Sequence, residues 1–122
     1  MSRDTRRRHE RAGRFAETLA AIYLRFKGYR ILERRFKTKL GEIDIIALNK
    51  DTVVVVEVKQ RQTQLDAHES VSKTAEKRIE DAANIYVSKN PALQTLGLRF
   101  DVVFFIGPLK LWRARIEHIE NA

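Results

Sequence analysis

The sequence predicts a single mixed α/β domain in which helices cover a central sheet. Three observations predict it. Apolar residues recur at helical spacing in two separate segments, 10–27 and 71–89. Apolar, β-prone runs stand between and after them, the strongest being Val53-Val54-Val55-Val56. The chain has 122 residues, which suits one domain, and contains no internal repeat or linker-like stretch.

Taken in order, residues 1–9 are expected to be a flexible basic arm and 10–122 the folded domain. The first helix, over 10–27, has an apolar face of Phe15, Leu19, Ile22, Tyr23 and Phe26, widened by Ala12, Ala16 and Ala20. At about 100° per residue, Glu17 falls at the border of that face near Leu24, and Arg11, Arg14 and Arg25 fall on the polar side. Lys27-Gly28 is a suitable stop. Three strands follow, over 29–36, 42–48 and 52–59. The polar Asn49-Lys50-Asp51 turn makes the last two an antiparallel hairpin. A polar loop at 60–70 leads to a second helix over 71–89, with Val71, Ala75, Ile79, Ala82, Ala83 and Tyr86 on its apolar face. Asn90-Pro91 ends it. A buried strand over 98–106 is closed by Gly107-Pro108, and a last strand or turn is expected around 109–115. The order is α-β-β-β-α-β-(β).

Composition narrows the function. The chain has no cysteine, which excludes disulfides, thiolate metal sites and cysteine catalysis. No apolar run approaches the ~18 residues of a membrane span, and the Arg-rich start has no apolar core of a secretory signal. A cytoplasmic protein without a membrane partner is therefore expected. The net charge of +8 is unevenly spread. Residues 1–39 hold 13 basic and 4 acidic side chains, whereas 40–70 hold 3 basic and 6 acidic. Arg3, Arg6, Arg7, Arg8, Arg11 and Arg14 are the densest part of the basic third. Such a cluster suits a polyanion, most often nucleic acid; a solvated tail has the same composition.

The acidic third carries the candidate chemistry. Asp44 interrupts the apolar run 43–46, and Glu57 interrupts 53–58 with Lys59 two residues on. If 49–52 is the hairpin loop, Leu48 pairs with Val53, Asp44 stands opposite Glu57, and Glu42 opposite Lys59, all on one face. Ile43, Ile45, Val56 and Val58 then share the core face. Two carboxylates about 5 Å apart repel by roughly 3 kcal/mol at an effective dielectric of ~20. A bridging divalent cation would make that pairing favourable, and Mg²⁺ binds through one or two carboxylates while keeping several waters. With Lys59 to orient or activate a water, the set suits metal-assisted phosphodiester hydrolysis. An exposed face with an ordinary Glu42–Lys59 pair meets the same pattern. His9, His68 and His118 show no metal-ligand spacing and are expected at the surface. Asp101, also inside an apolar run, is expected to pair with Arg99 or the second helix.

These residues resemble the small YraN-like bacterial family, whose members are assigned to the PD-(D/E)XK, restriction-endonuclease-like nucleases. The likeness rests on Gly13-Arg14-Phe15-Ala16-Glu17, Gly28-Tyr29-Arg30-Ile31-Leu32, Gly41-Glu42-Ile43-Asp44-Ile45-Ile46-Ala47, Val56-Glu57-Val58-Lys59-Gln60-Arg61 and Arg99-Phe100-Asp101-Val102-Val103, in that order. The resemblance implies an αβββαβ core with one metal-dependent site. Asp44 would be the first acid, Glu57 and Lys59 the E-x-K pair, and Glu17 the helix-borne acid completing the shell around Mg²⁺ or Mn²⁺. The chain departs from the pattern at Arg35, where Asn is expected, at Gln60, where Thr is frequent, and at Ala75, where Lys or Gln is common.

The combined expectation is a metal-dependent endonuclease acting on DNA, on structured or branched forms among others. Arg61 and the arginines of the first third would hold the backbone without reading sequence. A homodimer is compatible with it, although no apolar patch in the sequence marks an interface. The alternatives are a nucleic-acid-binding protein of the same fold that does not cleave, and an interaction protein whose arm binds an acidic partner.

Overall fold

The computed structural model describes residues 3–61, 73–107 and 115–122, with side chains from residue 13 in the first stretch and from 76 in the second. Two helices, α1 (Arg3–Phe26) and α2 (Lys73–Ser88), flank five strands. The strands are β1 (Arg30–Lys37), β2 (Glu42–Asn49), β3 (Thr52–Arg61), β4 (Gly97–Ile106) and β5 (Arg115–Ile119). They lie in sequence order in one sheet. Neighbours are antiparallel except β3 and β4, which run parallel. Parallel strands cannot be joined by a tight turn, and α2 makes the crossover between them. The result is a mixed α/β domain with the expected element order. Among the described residues, no helix is long and apolar enough to cross a membrane.

Two boundaries differ from expectation. α1 starts at Arg3, so most of the stretch expected to be an arm has helical backbone. That stretch lacks an apolar stripe, but its arginines are good helix formers and it continues a helix packed further along. A strand lies at Arg115–Ile119, and the expected last strand or turn around 109–115 falls, apart from Arg115, outside the described residues. Residues 108–114, with Trp112 and Arg113, and residues 62–72, with His68, lie outside the described residues, as does the side chain of His9.

β3 is the axis of the fold. Val53, Val54, Val55 and Val56 are all buried, because helices cover both faces of the strand. On one face, Ala16, Ala20, Ala21 and Leu24 of α1 pack on Ile45, Ala47, Val54, Val56, Val103 and Phe105. On the other, Ile79, Ala82 and Ala83 of α2 pack on Ile43, Ile46, Val53 and Val55.

The buried face of α1 holds only part of the expected one: Ala16 and Ala20 are buried and Leu19 and Tyr23 pack against the core. Phe15, Ile22 and Phe26 are 52%, 42% and 88% exposed, whereas Ala16, Ala20 and Ala21 are buried. Alanine has no side chain beyond Cβ, so a helix that presents alanines can lie close to a sheet of Val and Ala.

A polar clasp ties the chain end to the start of the sheet. Asp101 is fully buried on β4. It accepts from Arg99 Nε at 2.8 Å and Nη2 at 3.0 Å, from His118 Nε2 at 2.8 Å and from the Asn121 N–H at 3.0 Å. The pairing of Asp101 with Arg99 is the one expected. His118 is not at the surface: its side chain is 2% exposed, because β5 adds to the β4 edge with His118 beside Val103. Its Nδ1 accepts from Lys27 Nζ at 2.7 Å. Tyr29 links the set, accepting from Arg99 and donating to Glu120. Burial works to raise the Asp101 pKa, but the hydrogen bonds from His118, Arg99 and Asn121 outweigh it and hold the carboxyl below its ordinary value.

Replacing Asp101 by Ala leaves Arg99 and His118 without their buried acceptor, and is expected to cost about 3–5 kcal/mol in denaturant unfolding at neutral pH. A carboxyl with a depressed folded pKa contributes stability above its ordinary pKa and loses it as the pH falls through the folded value. The difference from wild type should therefore shrink in strong acid.

Candidate functional site

The site is built on the β2–β3 hairpin. Its turn is the two residues Lys50 and Asp51, with Asn49 paired to Thr52, tighter than the four-residue loop expected but in the same register. Leu48 faces Val53 as predicted, and regular pairing continues to Ile45 opposite Val56. There it stops. The Asp44 carboxylate turns in, and its Oδ2 accepts the Val58 N–H at 2.8 Å. Asp44 and Glu57 thus meet where the two strands part, not as a regular cross-strand pair.

β1 shapes the same place. Arg34 pairs with Ile45 and Phe36 with Ile43, which sets Arg35 across from Asp44. Arg35 has φ 55°, the left-handed region, which costs an ordinary L-residue roughly 1–2 kcal/mol and which Asn tolerates better. This gives a physical reason for the Asn that the resemblance expects there. The local twist also breaks the alternation of faces. Ile43 and Phe36 join the α2 cluster while Ile45 stays under α1, so Ile43 and Ile45 do not share a face as predicted.

Arg35 reaches α1. Its Nε donates to Glu17 Oε2 at 2.6 Å, and the Glu17 side chain is 15% exposed. Glu17 thus lies beside the hairpin, at the border of the buried face, with one oxygen already engaged. Sequence reasoning did not find this partner; the only signal was Arg35 standing where Asn was expected.

The electrostatics draw the acids together. Burial, and then the Glu57 charge, push the Asp44 pKa up to about 7, with Glu17 and Glu42 adding to the rise and the Val58 N–H opposing it. Burial also raises Glu57, assisted by Glu42 and Glu17, while Lys59 and Arg61 pull it back. Four carboxylates and two cations therefore share one neighbourhood. Among the described residues, no group hydrogen-bonds the Glu57 carboxylate. Arg61 Nη1 donates to the Gln60 carbonyl at 2.7 Å. Arg14 is exposed on α1, and the side chains of Arg6, Arg7, Arg8 and Arg11 lie outside the described residues.

Among the described residues, one set of three metal-ligating side chains has its ligand atoms within 4.8 Å of one another, and it is Asp101, His118 and Glu120. Glu17, Asp44 and Glu57 are not gathered so tightly. In the clasp, however, Asp101 spends both oxygens on Arg99, His118 and Asn121. The Asp44–Glu57 pair has the larger unmet need for positive charge.

That need has a measurable sign. An acid whose folded pKa lies above its ordinary value holds stability that is complete below the ordinary pKa and lost as the pH rises through the folded one. Between pH 5 and pH 8 the metal-free wild type should lose about 2–3 kcal/mol relative to Asp44→Asn, read by denaturant unfolding. Mg²⁺ should recover part of the loss in wild type and none in the variant.

A sequence model of the uncharacterised protein family UPF0102 matches residues 16–105, a span that holds Glu17, Asp44, Glu57, Lys59 and Arg61. A UPF0102 protein of Chelativorans sp. (strain BNC1) is 48% identical over 121 residues, covering 99% of this chain and 96% of that one. One from Mesorhizobium japonicum is 44% identical over 118 residues, covering 97% and 90%. One from Bartonella tribocorum is 53% identical over 88 residues, covering 72% and 68%. The chain belongs to the UPF0102 family.

Proposed function

We propose that this protein is a metal-dependent endonuclease that hydrolyses phosphodiester bonds in DNA, with α1, the β1–β2–β3 meander, α2 and β4 forming a restriction-endonuclease-like core. The observation that carries the reading is Asp44, a largely buried acid held next to the charge of Glu57 at the point where two strands separate. Two such carboxylates without a cation between them cost stability, and oxygen donors alone suit Mg²⁺ or Mn²⁺ rather than softer metals.

Asp44 keeps Oδ1 for a cation while Oδ2 anchors it to Val58. Glu57 offers its carboxylate, and Glu17 the oxygen that Arg35 leaves free. A bound Mg²⁺ would supply Lewis acidity toward a phosphoryl oxygen and lower the pKa of a water. Lys59, close enough to Glu57 to lower its pKa, positions the attacking water. Arg61, Arg14 and the arginines at the start of α1 attract the sugar–phosphate backbone without reading bases. The same reading takes structured or branched DNA as a substrate, works in the cytoplasm and is compatible with a homodimer.

One observation favours a second reading, a binding protein that does not cleave. Arg35 neutralises Glu17, the acid that would complete the metal shell.

Incubating the protein with linear, single-stranded, branched and RNA substrates plus Mg²⁺ or Mn²⁺ decides between them. Cleavage is expected on DNA, abolished by EDTA and reduced at least about 100-fold by Glu57→Ala or Lys59→Ala. Cleavage that survives both substitutions would overturn the site. Binding with no cleavage of any substrate would favour the second reading.

A further inference from the structure

The β1–β2 turn and α2 enclose a cleft of about 660 Å³ that the chemistry above does not use. Lys37 and Lys39 line it from the turn and Arg78 from α2, with Glu42 and Asp81 as its acidic members. Asp81 is already engaged by Lys77, at 3.2 Å. Among the described residues, the side chains of Lys37, Lys39 and Arg78 have no hydrogen-bond or ion-pair partner, Lys37 standing opposite Glu42 in the β1–β2 register. The cleft therefore presents three uncommitted cations.

Its walls are set close together. A Cβ at Gly41 would lie 3.3 Å from the Arg78 carbonyl oxygen, so the absent side chain lets the turn rest against the helix. Thr38 closes the turn. Thr38 Oγ1 accepts the N–H groups of Leu40 and Gly41 at 3.1 and 3.0 Å and donates to the Gly41 carbonyl at 2.9 Å. Two lysine ammonium groups act here as point charges and the Arg78 guanidinium as a planar fork, a set that suits the phosphates of a repeating anion. Glu42 joins the cleft to the carboxylates, since it begins β2 two residues before Asp44, about 7 Å along the strand.

We infer that the cleft lined by Lys37, Lys39 and Arg78 is a subsite for the sugar–phosphate backbone of a nucleic-acid strand, holding phosphates next to the one presented to Asp44 and Glu57. The inference rests on the nuclease reading for the strand's direction, but its test does not depend on cleavage. The cations draw the backbone along the turn, and Glu42 repels it from drifting past the carboxylates unless their charge is offset.

The test is fluorescence anisotropy of labelled single- and double-stranded oligonucleotides in EDTA, across a salt series. The triple variant Lys37→Ala/Lys39→Ala/Arg78→Ala should lower the slope of log K against log salt by about 2, at ~0.7–0.9 per lost phosphate contact. A triple variant removing the same charge from exposed positions elsewhere, Arg30→Ala/Lys50→Ala/Lys89→Ala, should change it by less than about 1. Lys39→Glu alone should weaken binding more than Lys39→Ala. Thermal melting of each variant establishes that it is folded. Equal slopes for wild type and cleft variant, equal losses in the two triples, or no binding of oligonucleotide by wild type would each overturn the subsite. So would binding of inorganic pyrophosphate, by calorimetry, without binding of oligonucleotide. Cleavage activity with an unchanged slope removes the subsite alone; a lowered slope without any cleavage removes the catalytic reading alone.

Discussion

A single hydrogen bond, from the Val58 N–H to the Asp44 carboxylate, organises the end of the hairpin. A side chain takes the place that a backbone carbonyl would hold in an uninterrupted ladder. Three results follow from it. β2 and β3 separate beyond Ile45 and Val56, Asp44 is fixed in orientation by a group that cannot move, and the buried acid comes to lie within the field of Glu57. The left-handed Arg35 on β1 allows the neighbouring strand to follow the same break, and its guanidinium reaches α1 to hold Glu17. Helix and hairpin are thereby connected through charge at the place where the sheet is least regular.

Charge in this molecule is sorted by its hydrogen-bond partners. Where acids are fully partnered, as in the Asp101 clasp, hydrogen bonds hold the carboxyl ionised and the cluster is structural. Where they are under-partnered, as at Asp44 and Glu57, burial and repulsion raise the pKa. The two clusters look alike in composition. Only their hydrogen bonds distinguish them, and the clasp, with its tighter ligand spacing, is the less suitable for a metal.

Much of this was legible in the sequence, and the failures have physical causes. The hairpin register could be read from Asn49-Lys50-Asp51 and the valine run, because period-two geometry leaves little freedom once the turn is placed. The break at Asp44 could not, because it depends on one side chain competing with the backbone. Phe15, Ile22 and Phe26 were wrongly placed on the apolar face of α1 because side-chain bulk is a poor guide where small residues do the packing. His118 looked like a surface residue because its partners, Lys27 and Asp101, are far away in sequence. Asp101 itself was recognisable, since a carboxylate inside an apolar strand must find donors.

The alanine stripe on α1 has one more effect. Ala16, Ala20 and Ala21 act as a spacer of minimal thickness between helix and sheet, and Glu17 is carried on that same spacer. The height of the helix above Ile45 and Val56 therefore fixes how far the third carboxylate hangs over the hairpin. The tolerance of the whole acidic constellation is thus governed by the smallest side chains in the core, none of which has any chemistry of its own.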